Sequence, residues 1–477
     1  MVVYNVLTGK KEEFVPQNPQ DVKMYACGIT VSGDAHLGHA KQALQFDVIR
    51  KYIEYSGFKV TYVRNHTDVD DKIIIKAQSE NIDPLDFSKR YIDRNNEDMK
   101  SLGINPADHE PKASETIQEI IFFVSALIEK NLAYATKDGD VFFKVENFPG
   151  YGKLSRRNID ELYENVRKAA VGEKEKNIDF ALWKAAKENE IYWDSPWGKG
   201  RPGWHIECSA MCYKYLGKTI DIHGGGKDLL FPHHENEIAQ SEGLFGVDLA
   251  KYWIHCGLVK VNGEKMSKSL GNTIIIRDLL NKYHPEVIKF LILQTNYKSD
   301  LNVIDNMFEE AEKHLYNIYK CLQKLKEKNQ DVKAGTLSAK IKSDFADAMD
   351  EDFNTALAIA NLFKYTKEIN SIIKTNQIEL LNGIYDTIRS CYAIFSILQE
   401  DPSVFINSLI QKYIKEFKLD ESAINDLILK RSQFKQAKNY EEADKIKIQL
   451  KKTGILLEDA GDSTRWDIDF SFKNENN

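Results

Sequence analysis

The sequence lacks the long apolar runs and targeting segments that direct a chain into a membrane or out of the cell. Its densest apolar run, Ile120–Leu127, is interrupted by Ser125 and is far shorter than the roughly 18 to 20 residues of a membrane-spanning helix. The first residues have neither the basic nor the apolar region of a signal peptide. Cysteine is scarce, with 6 in 477 residues, which excludes a disulfide scaffold. We therefore expect a cytoplasmic protein with reduced thiols and no membrane partner.

A strong excess of charge of one sign is also lacking. The chain has 65 Lys and Arg against 72 Asp and Glu, a net charge of −7, which argues against a protein that coats nucleic acid along its whole surface. The window Gln411–Lys452 differs, because eleven Lys or Arg and seven Asp or Glu give it a charge of +4. A solvated helix face and a local phosphate-binding face both explain this window, and charge alone favours the first.

The first 300 residues or so mix strand and helix patterns, and helical spacing dominates the remainder. Strand-like Lys23–Thr30, helical Ala40–Tyr55 and strand-like Phe58–Arg64 predict a βαβ unit and a parallel sheet. Further strands are predicted at Gly139–Val145, Thr219–His223 and Tyr252–Val261. A helical bundle is predicted from Met307–Lys328, Leu337–Met349, Asn354–Lys374 and Glu379–Gln399.

These patterns predict an α/β fold of several parts. Apolar residues make up 42% of the chain and charged residues 29%, as is usual for a globular protein. We expect a Rossmann-like parallel-sheet domain with an insertion, followed by an α-helical bundle and a small C-terminal domain. The expected parts are residues 1–103 and 200–302 for the two halves of the sheet domain, 104–199 for the inserted segment, 303–400 for the bundle and 401–477 for the C-terminal unit.

A short motif with two histidines, His36-Leu37-Gly38-His39, stands where the first strand gives way to the helix. A helix N-terminus offers unpaired N–H groups and a positive dipole end, which suit a phosphate. The two imidazoles add donors, and Gly38 lets a flat base approach the backbone closely. Taken alone, the motif is better explained as two polar residues in a turn.

A second motif, Lys265-Met266-Ser267-Lys268-Ser269, follows a predicted strand late in the same domain. Its lysines and serines could hold a polyphosphate through mobile cations and hydroxyl groups. Taken alone, it is better explained as a solvent-exposed basic loop. Together, the two motifs could grip a triphosphate from both sides.

A set of side chains has the chemistry of zinc ligands. The candidates include the pair His233 and Glu237 together with Cys27 and Cys208, which are distant from each other in sequence. His233 and Glu237 are four residues apart and would share one face of a helix, and zinc accepts nitrogen, sulfur and carboxylate ligands. Cys212 and His234 compete for the same roles, and spacing does not decide between them. Buried thiols and a helix-capping histidine are the alternative interpretation.

Other polar and aromatic positions have two interpretations. Asp68, Asp70 and Asp71 are expected to be helix N-caps or solvated acids rather than magnesium ligands. Gly224-Gly225-Gly226 forms either a nest of backbone N–H groups or a tight turn. Trp204 is either a core aromatic or the wall of a pocket.

The motifs and their neighbouring stretches resemble the class I aminoacyl-tRNA synthetases and, within that class, the cysteinyl-tRNA synthetases. The stretches that carry this resemblance are Tyr25–His39, Tyr62–Lys72, Gly200–Met211, Asp221–Gln240 and Asp350–Ala356. The first motif stands for His-Ile-Gly-His and the second for an unaltered Lys-Met-Ser-Lys-Ser, and the resemblance extends over nearly the whole chain. Ser32-Gly33 departs from the Tyr and Asp usual there, which puts the shape of this loop in doubt.

The resemblance implies ATP-dependent activation of L-cysteine and its transfer to the 3′ end of the tRNA for cysteine. It implies Mg²⁺ with ATP, one zinc ion per chain that selects cysteine through its thiolate, and a monomer whose bundle and C-terminal unit contact the tRNA. The implied catalytic residues are His36, His39, Lys265 and Lys268, and the implied ATP-binding residues are His36, Gly38, His39 and Lys268. The implied substrate-binding residues are Gly28, Thr67, Trp204 and His223. The implied zinc ligands are Cys27, Cys208, His233 and Glu237.

Two rival functions remain at this point. Some ligases that resemble cysteinyl-tRNA synthetases join cysteine to an amino sugar, but they lack the full helical and C-terminal part. A zinc-stabilised nucleic-acid-binding protein would explain a metal and the basic window. It would not explain two phosphate-binding motifs in one sheet domain.

Overall fold

The structure is a computed structural model that describes residues 1–157, 174, 178–188, 190–266, 270–328, 335–460, 463–470 and 472. Contacts between residues divide the chain into two compact units. The first unit comprises Met1–Ile304, Ser343–Asn361 and Ile394–Ser396, and the second comprises Asp305–Lys342, Leu362–Ala393 and Ile397–Asn477. The five-part division of the chain stays a prediction.

The elements are numbered in chain order. The strands are β1 Val2–Asn5, β2 Lys10–Glu13, β3 Val22–Thr30, β4 Val60–Thr67, β5 Ala133–Ala135, β6 Val141–Phe143, β7 Phe180–Ala185, β8 Gly200–Pro202, β9 Ile220–Gly226, β10 Ala250–Cys256, β11 Val259–Val261, β12 Glu264–Lys265, β13 Leu301–Val303, β14 Ile455–Ala460 and β15 Ser463–Ile468. The α-helices are α1 Leu37–Tyr55, α2 Asp71–Glu80, α3 Pro84–Ser101, α4 Ile117–Glu129, α5 Trp204–Leu216, α6 Glu235–Phe245, α7 Ile276–Lys282, α8 Pro285–Leu293, α9 Met307–Lys328, α10 Thr336–Asp350, α11 Thr355–Lys374, α12 Ile384–Ala393, α13 Pro402–Glu416, α14 Glu421–Gln436 and α15 Tyr440–Lys451.

A four-stranded parallel sheet forms the centre of the first unit, with strand order β10-β9-β3-β4. Its strands are almost entirely buried, as expected for a parallel sheet covered on both faces. The predicted βαβ unit is confirmed, because β3, α1 and β4 follow one another and the two strands pair in parallel. The carboxyl ends of β3, β4 and β9 therefore lie at the same edge, where open α/β sheets bind ligands.

The three consecutive glycines were expected to follow a strand as a nest of backbone N–H groups or a tight turn, but the structure places them within the strand. Gly224–Gly226 are the last residues of β9 and pair with β10. The reason is a close contact with α1, since a Cβ atom on Gly224 would lie 2.4 Å from the ring of Phe46. The glycines thus let a helix pack closely on the sheet.

Three smaller sheets are described in the first unit. Strands β1 and β2 pair antiparallel. Strands β5 to β8 form an antiparallel sheet between β4 and β9 in the chain. Strands β11 to β13 form a three-stranded sheet, in which β12 contains Lys265, the first residue of the second motif. A single strand was predicted over Tyr252–Val261, but the structure has two strands there. The first strand, β10, ends before Gly257, whose carbonyl accepts a hydrogen bond from Lys41.

The second unit contains helices and the β14–β15 hairpin. Buried Ile424, Ile446, Leu450 and Ile455 form an apolar cluster there. The helix predicted over Glu379–Gln399 is wrong in extent, since only Ile384–Ala393 is α-helical, after a 3-10 turn at Ile378–Leu381. Gly383 has a left-handed φ of +71° between them, which a continuous helix does not allow.

Within the described part of the chain, none of the helices combines the length and the apolar character needed to cross a bilayer.

Candidate active site and metal centre

The two histidines of the first motif form the N-terminus of α1. His36 is the N-cap residue, and its Nδ1 accepts a hydrogen bond from the Gly38 amide at 3.2 Å. His39 Nδ1 accepts one from the His36 amide at 3.3 Å, and the two rings stack with centroids 3.6 Å apart. Because Nδ1 is the acceptor in each ring, the neutral imidazole carries its proton on Nε2. Both rings are therefore held in one tautomer at the positive end of the helix.

Residues of both motifs line one cavity of about 190 Å³. His36, Gly38 and His39 contribute from α1, and Lys265 and Met266 contribute from the second motif. The motifs are also linked by backbone, since the Leu37 amide donates to the Ile274 carbonyl at 2.9 Å. Lys268 lies outside the described residues. The expectation that the two motifs border a common space is thus met for the residues that are described.

Lys41 binds the backbone next to this cavity. Its buried ammonium group donates to the carbonyl oxygens of Gly257, Tyr297 and Ser299 at 2.7, 3.1 and 3.1 Å. Burial lowers the pKa of Lys41. Gly257 itself lines the cavity, so α1, which carries the first motif, is tied to the chain that leads to the second.

The four expected zinc ligands come together below the carboxyl end of β3. One ligand atom each from Cys27, Cys208, His233 and Glu237 lies within 4.8 Å of the others, and all four side chains are buried. Glu237 Oε1 is 3.1 Å from both Cys27 Sγ and His233 Nε2. Two sulfurs, one imidazole nitrogen and one carboxylate are a donor set that fits zinc. A zinc ion would therefore find its ligands prearranged in this cluster.

The charges of the cluster favour the ionised forms of two ligands. Burial acts to raise the pKa of Cys208, but hydrogen bonding with Cys27 and the charge of His233 lower it to about 6. Burial also acts to raise the pKa of Glu237, but His223 and His233 hold it well below its ordinary value. Burial raises the pKa of Cys27 instead. A cation at this place would therefore meet a thiolate and a carboxylate, the forms that bind metal.

Cys212 and His234, the other candidates for zinc ligands, occupy different positions. Cys212 is a buried thiol of the surrounding apolar cluster and belongs to neither group of possible metal ligands found among the described residues. His234 belongs to a smaller group with Cys27 and His223. Its Nδ1 lies 2.7 Å from His255 Nε2, so this ring also interacts with β10.

The expected substrate-binding residues surround the cluster. The Gly28 amide donates to Asn65 Oδ1 at 2.9 Å, and a Cβ atom at Gly28 would lie 1.7 Å from the Asn65 carbonyl oxygen. Thr67 is buried at the end of β4. His223 Nε2 lies 2.9 Å from Glu237 Oε2. Trp204 is 39% exposed and its ring is 4.5 Å from that of His233, which contradicts the interpretation of Trp204 as a core aromatic.

The three aspartates after β4 have separate roles. Asp70 is the N-cap of α2 and accepts from the Lys72 amide at 2.9 Å, as predicted. Asp71 pairs with Lys184 and Arg201. Asp68 accepts from the amide and hydroxyl groups of Ser114.

Sequence reasoning missed three polar residues around the cluster. Asn65 contacts Gly28, Thr67 and Cys208 through its amide. His205 Nδ1 lies 2.9 Å from His233 Nδ1. Glu207 is fully buried beside Cys208, and burial raises its pKa well above the ordinary value. The alternation of a strand, which puts Asn65 and Thr67 on one face, was the signal that could have found the first.

Family models agree with this geometry. Residues 13–313 match the model described as tRNA synthetases class I (C) catalytic domain, and residues 344–399 match the DALR domain. The chain is therefore an enzyme of the class I aminoacyl-tRNA synthetases, which are ligases.

Curated relatives identify the family within this class. The cysteine–tRNA ligase of Syntrophobacter fumaroxidans is 44% identical over 98% of this chain and 99% of the relative. That of Francisella philomiragia is 45% identical over 98% of this chain and 99% of the relative. The chain belongs to the cysteine–tRNA ligase family.

Solved structures show the same fold at low sequence identity. The methionyl-tRNA synthetase of Mycobacterium tuberculosis in complex with methionyl-adenylate has a TM-score of 0.57 at 12% identity, covering 84% of this chain and 95% of that one. The LeuRS of Agrobacterium radiobacter K84 has a TM-score of 0.58 at 11% identity, covering 82% and 87%. The predicted α/β fold is confirmed.

Proposed function

We propose that this chain activates L-cysteine with ATP and transfers the cysteinyl group to the 3′ end of the tRNA for cysteine. The products of the first step are cysteinyl adenylate and pyrophosphate, and Mg²⁺ accompanies ATP. Membership of the cysteine–tRNA ligase family supports the substrates. A monomeric state and a cytoplasmic location stay predictions.

We also propose that a zinc ion selects cysteine. The observation that supports this is a buried group whose ligand atoms lie within 4.8 Å of one another, from Cys27, Cys208, His233 and Glu237. A zinc ion bound by them would supply a position that a cysteine thiolate fills and a serine hydroxyl does not. An apolar pocket alone discriminates such similar side chains by only about 1 to 3 kcal/mol. Two residues would form walls of the substrate pocket. They are Trp204, which lies beside His233, and Gly28, which lies beside Asn65. Thr67 and His223 would contact it from β4 and β9.

The chain needs no side-chain nucleophile, because the carboxylate of cysteine attacks the α-phosphate itself. His36 and His39 would donate from Nε2 to the phosphates, since Nδ1 of each ring accepts from the backbone. Gly38 would let the nucleotide approach the start of α1. Lys265 lines the same cavity, and Lys268 of the same motif would stabilise the charge that develops on pyrophosphate. Catalysis would thus rest on positioning and charge stabilisation.

The experiment is ATP–pyrophosphate exchange with cysteine, serine and each other amino acid, using zinc-loaded and chelated protein. We expect exchange with cysteine alone and its loss with the metal. Charging of tRNA should follow only in the zinc-loaded protein. Exchange with another amino acid would refute the choice of substrate, and cysteine exchange after verified zinc removal would refute the role of the metal.

Two cysteines of α5 provide a matched pair of variants. Cys208 and Cys212 are both buried and one helical turn apart. We expect Cys208→Ser to reduce the zinc content and Cys212→Ser to retain one zinc ion per chain. Equal zinc content in the two variants would contradict the proposed ligand set.

A further inference from the structure

A cavity of about 800 Å³ lies within the second unit. One face of α9, one face of α11 and a residue of β14 line it. Every lining residue belongs to the residue ranges of this unit. The volume falls in the range of about 300 to 1,000 Å³ that proteins use to bind small molecules, so the cavity is large enough for a group the size of a nucleotide.

The floor of this cavity is formed where the two helices meet. Ile318 and Cys321 of α9 are 1% and 2% exposed, and Cys321 Sγ lies 3.9 Å from the Thr366 carbonyl oxygen of α11. The rings of His314 and Phe363 meet edge to face, with their centroids 5.0 Å apart. These contacts join α9 to α11, so the cavity between them is a preformed feature of the unit.

Lysine side chains give the cavity a positive charge. Four ammonium groups are opposed by one carboxylate among the described lining residues, and they come from Lys320, Lys324, Lys367 and Lys374, with Glu458 as the carboxylate. Lys320 pairs with Asp467, whereas the other three lysines form no ion pair with any carboxylate in the described part of the chain. A cluster of such ammonium groups in a chain of net charge −7 indicates an anionic partner.

The three lysines without an ion pair lie on both walls of the cavity. Lys367 and Lys374 are two helical turns apart on α11, about 10 Å along its axis, and Lys324 contributes from α9. Charges spread over this length suit a chain with repeated negative charges better than a single small anion. An RNA backbone and an acidic peptide both have such charges, and lysine binds phosphate and carboxylate as a point charge.

Aromatic and amide side chains in the same cavity favour RNA. Phe363 is half-buried and lines the cavity one turn before Lys367. A ring of this kind beside lysines is how proteins hold an unpaired base of RNA, whereas an acidic peptide has no base to stack on it. Asn317, exposed on the wall formed by α9, adds an amide that can both donate to and accept from the edge of a base.

We infer that the cavity between α9 and α11 holds an unpaired nucleotide of the tRNA, with Phe363 against its base and the three lysines without ion pairs against the phosphates on either side. The inference rests on the proposed function for the choice of RNA. It goes beyond the expected contact of the bundle with tRNA, because it assigns one cavity, a stacked base and particular cations.

The first test replaces the three lysines together by Lys324→Gln, Lys367→Gln and Lys374→Gln, which removes their charges. The dissociation constant of a transcript of the tRNA for cysteine is measured over a series of salt concentrations. Each phosphate contact of a single strand contributes about 0.7 to the slope of log affinity against log salt. We therefore expect the slope to decrease by about 2 and the affinity at low salt to fall by at least about tenfold. Cysteine-dependent ATP–pyrophosphate exchange, which is measured without tRNA, should be retained.

The second test is Phe363→Leu, which keeps an apolar side chain and removes the ring. Loss of a stacked base should weaken tRNA binding by about fivefold to a hundredfold. The salt slope should not change, because no charge is lost. The base contact and the phosphate contacts thus have different signatures. A general loss of structure would instead lower both cysteine-dependent exchange and the melting temperature.

An exposed lysine of the same unit gives a matched control. Lys340 lies on α10 and does not line the cavity. We expect Lys340→Gln to keep the slope of the unaltered protein and Lys367→Gln alone to lower it by about 0.7. An unchanged slope in the triple variant, or an equal decrease in these two single variants, would overturn the inference.

Two further outcomes separate the alternatives. Retained tRNA affinity in the triple variant together with lost binding of polyglutamate would assign the cavity to an acidic peptide and overturn the inference. Failure of the unaltered protein to exchange with cysteine would instead refute the proposed function, since the tRNA-binding series is measured without cysteine.

Discussion

Glu110 provides a pH-dependent test of how the edge of the central sheet is held. It lies in the segment beside β4, where the Arg64 amide donates to the His109 carbonyl at 3.0 Å and the His66 amide donates to the Pro111 carbonyl at 2.9 Å. The Glu110 carboxylate contacts Arg64 Nη2 at 2.5 Å. The ion pair between Arg64 and Glu110 therefore holds this segment to β4, the strand that contains Asn65 and Thr67.

The size of the effect follows from the pKa of Glu110. Burial acts to raise this pKa, but His66 and Arg64 together lower it from 4.5 to about 2. Because the folded value is below the unfolded one, the stabilisation is complete above pH 4.5 or so and is lost as the pH falls toward 2. At 1.36 kcal/mol per pKa unit, the carboxylate contributes about 3 kcal/mol at pH 7 and about 2 kcal/mol at pH 3.5.

The assay compares urea unfolding of the unaltered protein and Glu110→Gln between pH 7 and pH 3.5. Tryptophan fluorescence reports mainly on the first unit, because five of the 6 tryptophans, all but Trp466, lie in its residue ranges. The control is Glu115→Gln, since this carboxylate is 61% exposed in its pair with Lys112 and should contribute less than about 0.5 kcal/mol. A difference for Glu110→Gln below about 1 kcal/mol at pH 7, or one independent of pH, would refute the reasoning.

Three further variants test the geometry of the site and of the second unit. Gly28→Ala places a Cβ atom 1.7 Å from the backbone oxygen of Asn65, so we expect at least a tenfold loss of cysteine-dependent exchange, measured beside the melting temperature. Lys41→Met removes three hydrogen bonds from the ammonium group to backbone carbonyl groups, and it should raise the KM for ATP more than that for cysteine because Gly257 lines the cavity. Arg431→Met removes two hydrogen bonds from the guanidinium group to the Asp459 carboxylate, at 2.8 and 3.0 Å. It should reduce tRNA charging while ATP–pyrophosphate exchange is unchanged.

Elements with regular apolar spacing could be predicted closely from the sequence. The predicted helix Met307–Lys328 has the same bounds in the structure, and the one at Asn354–Lys374 differs by a single residue. In α9 the buried residues recur every three or four positions, so the local sequence alone specifies both the helix and its inner face.

Elements whose shape depends on distant contacts could not be predicted in this way. The glycines of β9 indicated a nest or a turn, yet they pair with β10 as a strand, and the ring of Phe46 on α1 leaves no room for a Cβ atom at Gly224. At Gly257, between β10 and β11, the backbone carbonyl likewise bonds to Lys41, more than 200 residues away in the chain. Propensity describes a residue and its neighbours, and it carries no information about a helix that packs on top of them.

The proposed metal ligands show the same limit for a functional site. Spacing left His233 and His234 as equal candidates, although successive residues of a helix point in different directions. In the structure, His233 Nε2 is 3.1 Å from Glu237 Oε1, and the corresponding distance for His234 is 3.9 Å. His234 instead directs Nδ1 to His255 on β10, and His233 directs its own Nδ1 to His205. Both histidines engage Nδ1 with another imidazole, so the difference lies at Nε2, which in His233 is close to the carboxylate and groups with the two thiols. The fold therefore supports His233 on a ground that residue spacing could not supply.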